Sequence, residues 1–387
     1  IFKRYQRTFF RFDLIAGVTV AAIAIPQAMA YAQLAGAPVV MGLYATFIAM
    51  ILYSVFSSTR QVIVGPDAAM AALTGATLIP LANGNPSYYS ALVALLAILI
   101  GISCFVAVIA KLSFLSDFLS RPILLGYMAG LGLAVIASQA PKLFGIAGIA
   151  RANFFTNSFH IITNLSNAHL ATVLLSLIIG VSCYFLITYL PKVPAGLAIL
   201  ALSIVISYVL DFRGMGIAVV GSFPSGLPIP KLPDVSFFDV QTLFVSSFAI
   251  MMISYANTIT TARSFAAINN DSVDPSQELT ALGVASVGTG LFGGLPVSAS
   301  GARTAVNEQN NAASQVSQLI AAGVVGFALL FLTPILQYLP MPALAVIIIL
   351  AVLKLFNIKE LQSIWRGWRS EAILAIITIV GVTLLGI

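Results

Sequence analysis

The sequence predicts an all-α polytopic membrane protein, because its composition suits lipid and two of its apolar segments are short and interrupted. Of its 387 residues, 60% are hydrophobic and 8% are charged, whereas about a quarter of the residues of ordinary globular proteins are charged. A membrane-spanning helix needs roughly 20 apolar residues, and runs of that kind fill nearly the whole chain. We therefore expect helices throughout and no soluble domain of useful size.

Apolar runs, divided at Gly, Pro and charged residues, predict two sets of spans. The spans lie near residues 14–34, 39–58, 66–80, 88–110, 118–139, 171–190 and 194–211, and then near 242–267, 277–292, 299–313, 316–336, 340–356 and 371–387. An odd number of spans in a complete half makes the two halves antiparallel. We assign residues 1–213 to a first inverted repeat (spans 1–7), 214–239 to a connecting loop, and 240–387 to a second repeat (spans 8–13) that is truncated in span 13.

The basic residues predict the orientation of the chain in the membrane. If the amino terminus is cytoplasmic, most of the 18 basic residues fall in inside segments, and Lys142, Arg151, Arg213 and Lys231 fall outside. This asymmetry is the positive-inside pattern of a multi-pass protein, here expected in the cell membrane. The basic residues are scattered at helix ends instead of forming a stripe, so lipid is the expected partner and nucleic acid is not. Arg303 stands apart because it is placed at membrane depth.

The third and tenth spans are too short to cross a bilayer, and they occupy the same place in each half. The third follows Val-Gly-Pro-Asp (64–67), and the tenth follows Phe-Gly-Gly-Leu-Pro (292–296) and soon becomes polar. Short, Gly/Pro-interrupted segments at matching positions of two repeats indicate a transporter's binding site. Their amino termini would face each other across the midplane with unpaired N–H groups and the positive ends of their dipoles, which bind anions.

Charged residues near these termini admit two interpretations each. Arg303 supplies positive charge to the site, since a buried Arg in a membrane indicates function; alternatively it is structural and pairs with Asp67 or Glu308, or extends its charged end to water. Asp67 is either a helix cap or a coupling residue that is protonated, or neutralised by Arg303, when the anion binds. Ser298 and Ser300 add hydroxyl donors.

Other polar residues carry less weight. Asn257 and Thr258 lie in the middle of the eighth span, where they either contribute to the site or pack helices. His160 and His169 fall in a connection expected to be a solvated loop. Without a metal-ligand cluster, a phosphate-binding loop or a nucleophile triad, the sequence predicts no enzyme and no cofactor other than a co-transported H⁺ or Na⁺.

Two sets of motifs resemble the SulP family (sulfate permease, or solute carrier 26), a group of anion transporters. The first set is Asp-Leu-Ile-Ala-Gly-Val-Thr-Val (13–20), Ile-Pro-Gln-Ala-Met-Ala-Tyr-Ala (25–32), Gly-Leu-Tyr (42–44) and Val-Gly-Pro (64–66). The second set is Gln-Glu-Leu-Thr-Ala-Leu-Gly (277–283), Phe-Gly-Gly-Leu-Pro-Val (292–297) and Ala-Arg-Thr-Ala-Val-Asn (302–307). Their order and spacing together are specific, and they span nearly the whole chain.

The resemblance implies a fourteen-span fold of 7+7 inverted repeats, with a core domain (spans 1–4 and 8–11) and a gate domain. It also implies a homodimer in the full-length protein, and a fourteenth span and a STAS domain that are missing from this chain. The anion is expected between the ends of spans 3 and 10, with side chains from spans 1 and 8. The implied substrate-binding residues are Gln27, Tyr31, Pro66, Asp67, Ala68, Ser300, Gly301, Ala302 and Arg303.

One departure from the family pattern concerns coupling. Asn257 stands where many proton-coupled members carry Glu, so we expect Asp67, with Asn257 and Thr258, to take the coupling role. The expected function is secondary active, H⁺- or Na⁺-coupled symport of sulfate, bicarbonate, a dicarboxylate or chloride by an elevator-like mechanism. The alternatives are an anion channel or uncoupled exchanger, a voltage-responsive protein of prestin type, and a nucleobase transporter, against which Arg303 argues.

Overall fold

The structure is a computed structural model that describes residues 5–82, 84–112, 121–147, 154–190, 195–223, 225–269, 271–353, 356 and 369–385. Its helices are α1 (Phe10–Leu34), α2 (Val39–Phe56), α3 (Ala68–Leu78), α4 (Pro86–Ile109), α5 (Arg121–Phe144), α6 (Phe154–Thr163), α7 (Leu170–Tyr189), α8 (Ala195–Val209), α9 (Phe237–Asn269), α10 (Pro275–Leu291), α11 (Gly301–Gln309), α12 (Val316–Phe327), α13 (Thr333–Leu336), α14 (Met341–Leu353) and α15 (Arg369–Leu385). A π-helical segment, Ala328–Leu332, joins α12 to α13. Two short strands, β1 (Val64–Gly65) and β2 (Ser298–Ala299), precede α3 and α11.

Six helices of the described chain are long and apolar enough to cross a membrane: Phe10–Leu34, Val39–Phe56, Pro86–Ile109, Leu170–Tyr189, Phe237–Ala267 and Val316–Leu336. The last of these runs from α12 through the π segment into α13. Shorter apolar helices lie at the positions of several other predicted spans. The fold is therefore a helical membrane protein, as its composition predicts.

The chain forms two compact units. The first comprises Ile1–Phe118 and Phe223–Thr333, and the second comprises Leu119–Ser222 and Pro334–Ile387. The first unit thus contains α1 to α4 and α9 to α12, the spans that the family resemblance assigns to the core domain. The repeat boundaries at residues 213 and 240 stay predictions.

The first unit is held together by close contacts between helices. α10 packs against α4 and α2, and α1 packs against α2 and α12. Glycines allow this approach: a Cβ added to Gly101 of α4 would lie 2.7 Å from the carbonyl oxygen of Gly283 in α10. In lipid, where apolar burial gives little drive for association, small residues at such contacts let van der Waals packing hold the helices together.

In the second unit, α5 packs against α14 and α15, and α7 packs against α14 and α8. The connection before α7 differs from the sequence prediction, because His160 lies in the helix α6 and not in a loop. His169 does precede a helix, and its Nδ1 lies 2.8 Å from Oγ1 of Thr172 in the first turn of α7.

The two strands fix how the short helices face each other. β1 pairs antiparallel with β2, with Val64 opposite Ala299 and Gly65 opposite Ser298, and the N–H of Ser300 donates to the carbonyl of Ile63 at 2.9 Å. Because antiparallel strands run in opposite directions, the helices that follow them leave the ladder in opposite directions. α3 has 11 residues and α11 has 9, or about 16 and 14 Å at 1.5 Å per residue. Each therefore crosses about half of a 30 Å bilayer core, as predicted.

The extended segment before α3 is bonded by polar side chains of α11, α12 and the residue before α12. Thr304 Oγ1 accepts from the N–H of Ile63 at 3.0 Å, and Gln318 Oε1 accepts from that of Val64 at 3.3 Å. The carbonyl oxygens of the same segment also have partners. Asn307 Nδ2 donates to that of Gln61 at 2.9 Å, and Gln315 Nε2 donates to that of Val62 at 3.0 Å. Irregular backbone inside a membrane needs partners of this kind. These bonds explain why α11 becomes polar.

Two fully buried carboxylates, those of Glu278 and Asp13, bind the backbone just after α2 and just before α12. Glu278 Oε1 accepts from the N–H groups of Ser58 and Thr59 at 2.7 and 3.0 Å and from Ser58 Oγ at 2.6 Å, while Oε2 accepts from the Tyr53 hydroxyl. Asp13 accepts in the same way from the N–H groups of Ala313 and Ser314 and from Ser314 Oγ.

We expect Glu278→Gln to destabilise the protein, because an amide would place a donor against groups that themselves donate. The cost of breaking such a buried hydrogen-bond set is about 1 to 3 kcal/mol. The measurement is the midpoint of thermal unfolding of the purified protein in detergent. Glu308→Gln is the matched control, since Glu308 contacts the exposed Asn269 Nδ2 only at 3.3 Å. Equal midpoints for the two variants would contradict the structural role of Glu278.

Candidate functional site

The amino terminus of α3 is capped by Asp67. Its Oδ1 accepts from the N–H of Met70 at 2.7 Å, which satisfies one of the donors that the first turn of a helix leaves unpaired. The capping interpretation of Asp67 is therefore confirmed. Ala68, the first helical residue, is buried.

The amino terminus of α11 has an open side. Ser300 is its cap, although its hydroxyl lies a long 3.4 Å from the N–H of Arg303. Gly301 and Ala302 are exposed, and the nearest atom to a Cβ added at Gly301 is Oγ1 of Thr261, 4.0 Å away. Space therefore remains beside the first turn of α11, where N–H groups and the positive end of the dipole favour an anion.

Arg303 crosses from α11 to the entrance of α3. Its side chain is fully buried, and Nη2 donates to the carbonyl of Pro66 at 2.7 Å. The guanidinium lies against Gly65, since a Cβ at that position would come within 2.9 Å of Nη1. A larger residue in place of Gly65 would therefore displace the charge.

Two nitrogens of Arg303, Nε and Nη1, are buried without a hydrogen-bond partner in the described structure. Among the residues described, Arg303 forms no ion pair with Asp67 or with Glu308; the ion pair present there joins Arg60 to Asp271 at 3.6 Å. The alternative prediction that Arg303 pairs with one of those carboxylates is wrong, because its one bonded nitrogen donates to a backbone carbonyl. Within the described part of the chain, its positive charge has no bonded counter-ion.

The Asp67 carboxylate instead joins a hydrogen-bond cluster with α9 and β2. Its Oδ2 accepts from Ser298 Oγ and from Asn257 Nδ2 at 3.1 Å. Asn257 Nδ2 also lies 2.8 Å from the carbonyl oxygen of Ala299, and Thr258 Oγ1 accepts from the Ala299 N–H at 3.1 Å. The structure thus brings together the predicted coupling residues, and it adds Ser298, which the sequence suggested only as an anion donor.

The residues predicted from α1 lie on one face of a helix that contacts both α3 and α11. Gln27 and Tyr31 are one turn apart, and Tyr31 is buried. Gln27 Oε1 is buried without a partner in the described structure. The site therefore combines two helix termini, the guanidinium of Arg303 and the side-chain amide of Gln27.

This chemistry suits a small anion better than a metal ion. No group of three or more His, Cys, Asp or Glu residues that could hold a metal occurs in the described residues, and both oxygens of Asp67 already accept hydrogen bonds. The unpaired donors of Arg303 and the open terminus of α11 can stabilise negative charge without proton transfer or bond formation.

Comparison with known sequences agrees with this interpretation. A family model described as the Sulfate permease family matches residues 10–378. "Probable sulfate transporter MT1781" of Mycobacterium tuberculosis is 37% identical over 387 residues, which cover 100% of this chain and 69% of that protein. "Sulfate transporter 4.1, chloroplastic" of Arabidopsis thaliana is 32% identical over 96% of this chain and 55% of its own length.

Solved structures confirm the fold. "The overall structure of SLC26A9" superposes with a TM-score of 0.91 at 23% identity, covering 98% of this chain and 63% of that one. "The transmembrane domain of a cyanobacterium bicarbonate transporter BicA" gives a TM-score of 0.87 at 23% identity, covering 98% of this chain and 97% of that one. The predicted transporter fold is therefore confirmed.

We expect Arg303→Gln to weaken anion binding about tenfold or more, because a charge acting over several ångströms at an effective dielectric of about 20 contributes more than 1 kcal/mol. Arg303→Lys keeps the charge but loses the fork that reaches Pro66, so it should retain part of the affinity. The measurement is the concentration dependence of anion uptake into proteoliposomes. Wild-type affinity in Arg303→Gln, with an unchanged elution volume, would show that Arg303 is only structural.

Proposed function

The chain belongs to the sulfate permease family, whose members are transporters and not enzymes, and we propose that it forms the membrane-embedded part of a secondary active transporter of a small anion. The observation that carries this proposal is the buried Arg303, which lies between two short helices and has no bonded counter-ion in the described structure. A permanent unpaired charge at membrane depth is costly unless a negative partner arrives. A transported anion is such a partner.

We propose an elevator-like mechanism in which the first unit carries the anion. Every residue predicted to bind substrate lies in that unit, and the contacts among α3, α9, α11, β1 and β2 are internal to it. A site complete within one unit can move without being taken apart. A channel would instead conduct without saturation, so saturable uptake and counter-transport distinguish a carrier from a pore.

We propose that the substrate is sulfate, bicarbonate, a dicarboxylate or chloride. The relatives named above are called sulfate and bicarbonate transporters, and N–H groups with one guanidinium suit all four ions. The direct test is uptake of labelled sulfate, bicarbonate, fumarate and chloride into proteoliposomes under imposed proton or sodium gradients. If the protein takes up none of the four anions, the proposed function is overturned.

The coupling ion, the orientation and the assembly are further proposals. Asp67, held by Asn257 near Thr258, is the proposed coupling residue for H⁺ or Na⁺. The positive-inside pattern supports a cytoplasmic amino terminus in a cell membrane, and the family resemblance supports a homodimer in the full-length protein. A nucleobase substrate is disfavoured because Arg303 presents donors and positive charge to a ligand.

Gly301→Trp should abolish uptake of every anion in that panel, because an indole would fill the space beside the first turn of α11. Gly323→Trp is a matched control: Gly323 is an exposed glycine of α12 in the same unit, and its added Cβ would meet nothing within 4 Å, while that of Gly301 would meet only Thr261 Oγ1, at 4.0 Å. The measurement is the uptake rate, normalised to the amount of reconstituted protein. If Gly301→Trp transports as well as Gly323→Trp, the pocket lies elsewhere.

Asp67→Asn should leave anion binding in place but remove the dependence of uptake on the driving-ion gradient, since an amide cannot take up and release a proton or hold a sodium ion by charge. The measurement is anion accumulation with and without an imposed gradient. Glu308→Gln, which neutralises a carboxylate at the far end of α11, should keep the dependence. Full gradient-driven accumulation by Asp67→Asn would leave Asp67 as a helix cap alone.

A further inference from the structure

We propose that Ser298 and Asn257 are positioning residues that hold the Asp67 carboxylate away from Arg303, so that the guanidinium charge stays available to the transported anion. The inference rests on the proposed function and adds to it a reason why a carboxylate can sit at the terminus of an anion site. It concerns the orientation of Asp67 and is independent of which ion drives transport.

Three hydrogen bonds hold the Asp67 carboxylate in place. Asp67 receives donors from three parts of the first unit: the N–H of Met70 in α3, the hydroxyl of Ser298 in β2 and the amide of Asn257 in α9. Two of these donors meet at the same oxygen, Oδ2. Hydrogen bonds to a charged acceptor are about twice as strong as neutral ones, so the three together fix the direction of the carboxylate.

Asp67 forms no ion pair with Arg303 in the described structure. A buried carboxylate beside a buried guanidinium frequently forms a bidentate ion pair, and Asp67 directly follows Pro66, whose carbonyl accepts from Arg303 Nη2 at 2.7 Å. Arg303 nevertheless donates to the carbonyl of Pro66, and its Nε and Nη1 are unpartnered among the described atoms. The Asp67 carboxylate therefore does not bond the Arg303 guanidinium, and other residues must hold it in its observed direction.

Asn257 and Ser298 can hold the Asp67 carboxylate because they are themselves held in place. Asn257 Nδ2 lies within hydrogen-bond distance of Asp67 Oδ2, Ser298 Oγ and the carbonyl oxygen of Ala299. The strand that carries Ser298 is itself fixed, because Thr258 Oγ1 accepts from the Ala299 N–H and Ser254 Oγ donates to the carbonyl of Val297. The donors to Asp67 therefore belong to a rigid frame made by α9 and β2.

Loss of these donors leaves Oδ2 buried without its partners, which is costly. We expect the carboxylate to take as new partners Nε and Nη1 of Arg303, which have no hydrogen-bond partner among the described residues. A carboxylate that turns to them would neutralise the positive charge of the site and compete with the anion. The expected effect is thus a loss of anion affinity that depends on the charge of Asp67.

A double-mutant cycle tests this dependence. Ser298→Ala and Asn257→Leu are each made in the native protein and in Asp67→Asn, and KM for labelled sulfate is measured in proteoliposomes, with bicarbonate, fumarate and chloride alongside. In the native background each variant should raise KM by about tenfold, comparable to Arg303→Gln. In the Asp67→Asn background the same changes should alter KM by less than about twofold, the usual error of additivity.

The outcomes are separable. Equal losses in both backgrounds would mean that Ser298 and Asn257 only pack the site, and would overturn this inference while leaving the proposed function intact. Uptake of none of the four anions by the native protein would overturn the proposed function and the inference with it. If Asn257→Leu fails to fold, Ser298→Ala, which removes a single hydroxyl, decides alone. Ser264→Ala is the matched control, because its exposed hydroxyl bonds only within α9 and should leave KM unchanged.

Discussion

The fold of the first unit depends on satisfying the backbone of two extended segments at membrane depth. The hydrocarbon core of a bilayer supplies no water to such groups, so each N–H or C=O left unpaired in it costs several kcal/mol. β1 and β2 satisfy part of this requirement by pairing with each other, and Thr304, Gln315 and Gln318 satisfy much of the rest for the segment before α3. Polar residues of α11 and α12 are therefore needed to satisfy the backbone of the extended segment, whether or not they also contact a ligand.

The same pairing creates the site. Antiparallel strands end at opposite ends of their ladder, but this ladder is only two residue pairs long. The amino termini of α3 and α11 therefore lie close together, and the two helices leave in opposite directions. Asp67 and Ser300 cap Met70 and Arg303 respectively, so each cap pairs one of the N–H groups that the first turn of a helix leaves without an intrahelical partner. Arg303 then ties one half to the other through Pro66. A fixed distance between the termini follows from these bonds.

Local signals in the sequence predict the broken helices, the cap at Asp67 and the burial of Arg303, because Gly, Pro and charge interrupt apolar runs visibly. The hydrogen-bond partners are not local. Gln61 and Asn307 are separated by 246 residues, and nothing in either neighbourhood indicates the other. For the same reason the sequence leaves open whether Arg303 pairs with Asp67, and it treats Ser298 as a donor to the anion when its hydroxyl bonds Asp67. Helix α6 is missed because it has only ten residues, whereas a span is recognised by a run of roughly 20 apolar residues.

On the proposed function, the charge balance of the site links the valence of the anion to the state of Asp67. An ionised Asp67 and Arg303 cancel, and two helix termini contribute about half a positive charge each, so the site carries about one positive charge in total. That balance suits a monovalent anion. When Asp67 is neutralised by a proton or a bound cation, the total rises to about two, which suits a divalent anion such as sulfate. The carboxylate therefore does not need to be absent from an anion site; held apart from Arg303, it sets how much negative charge the site accepts.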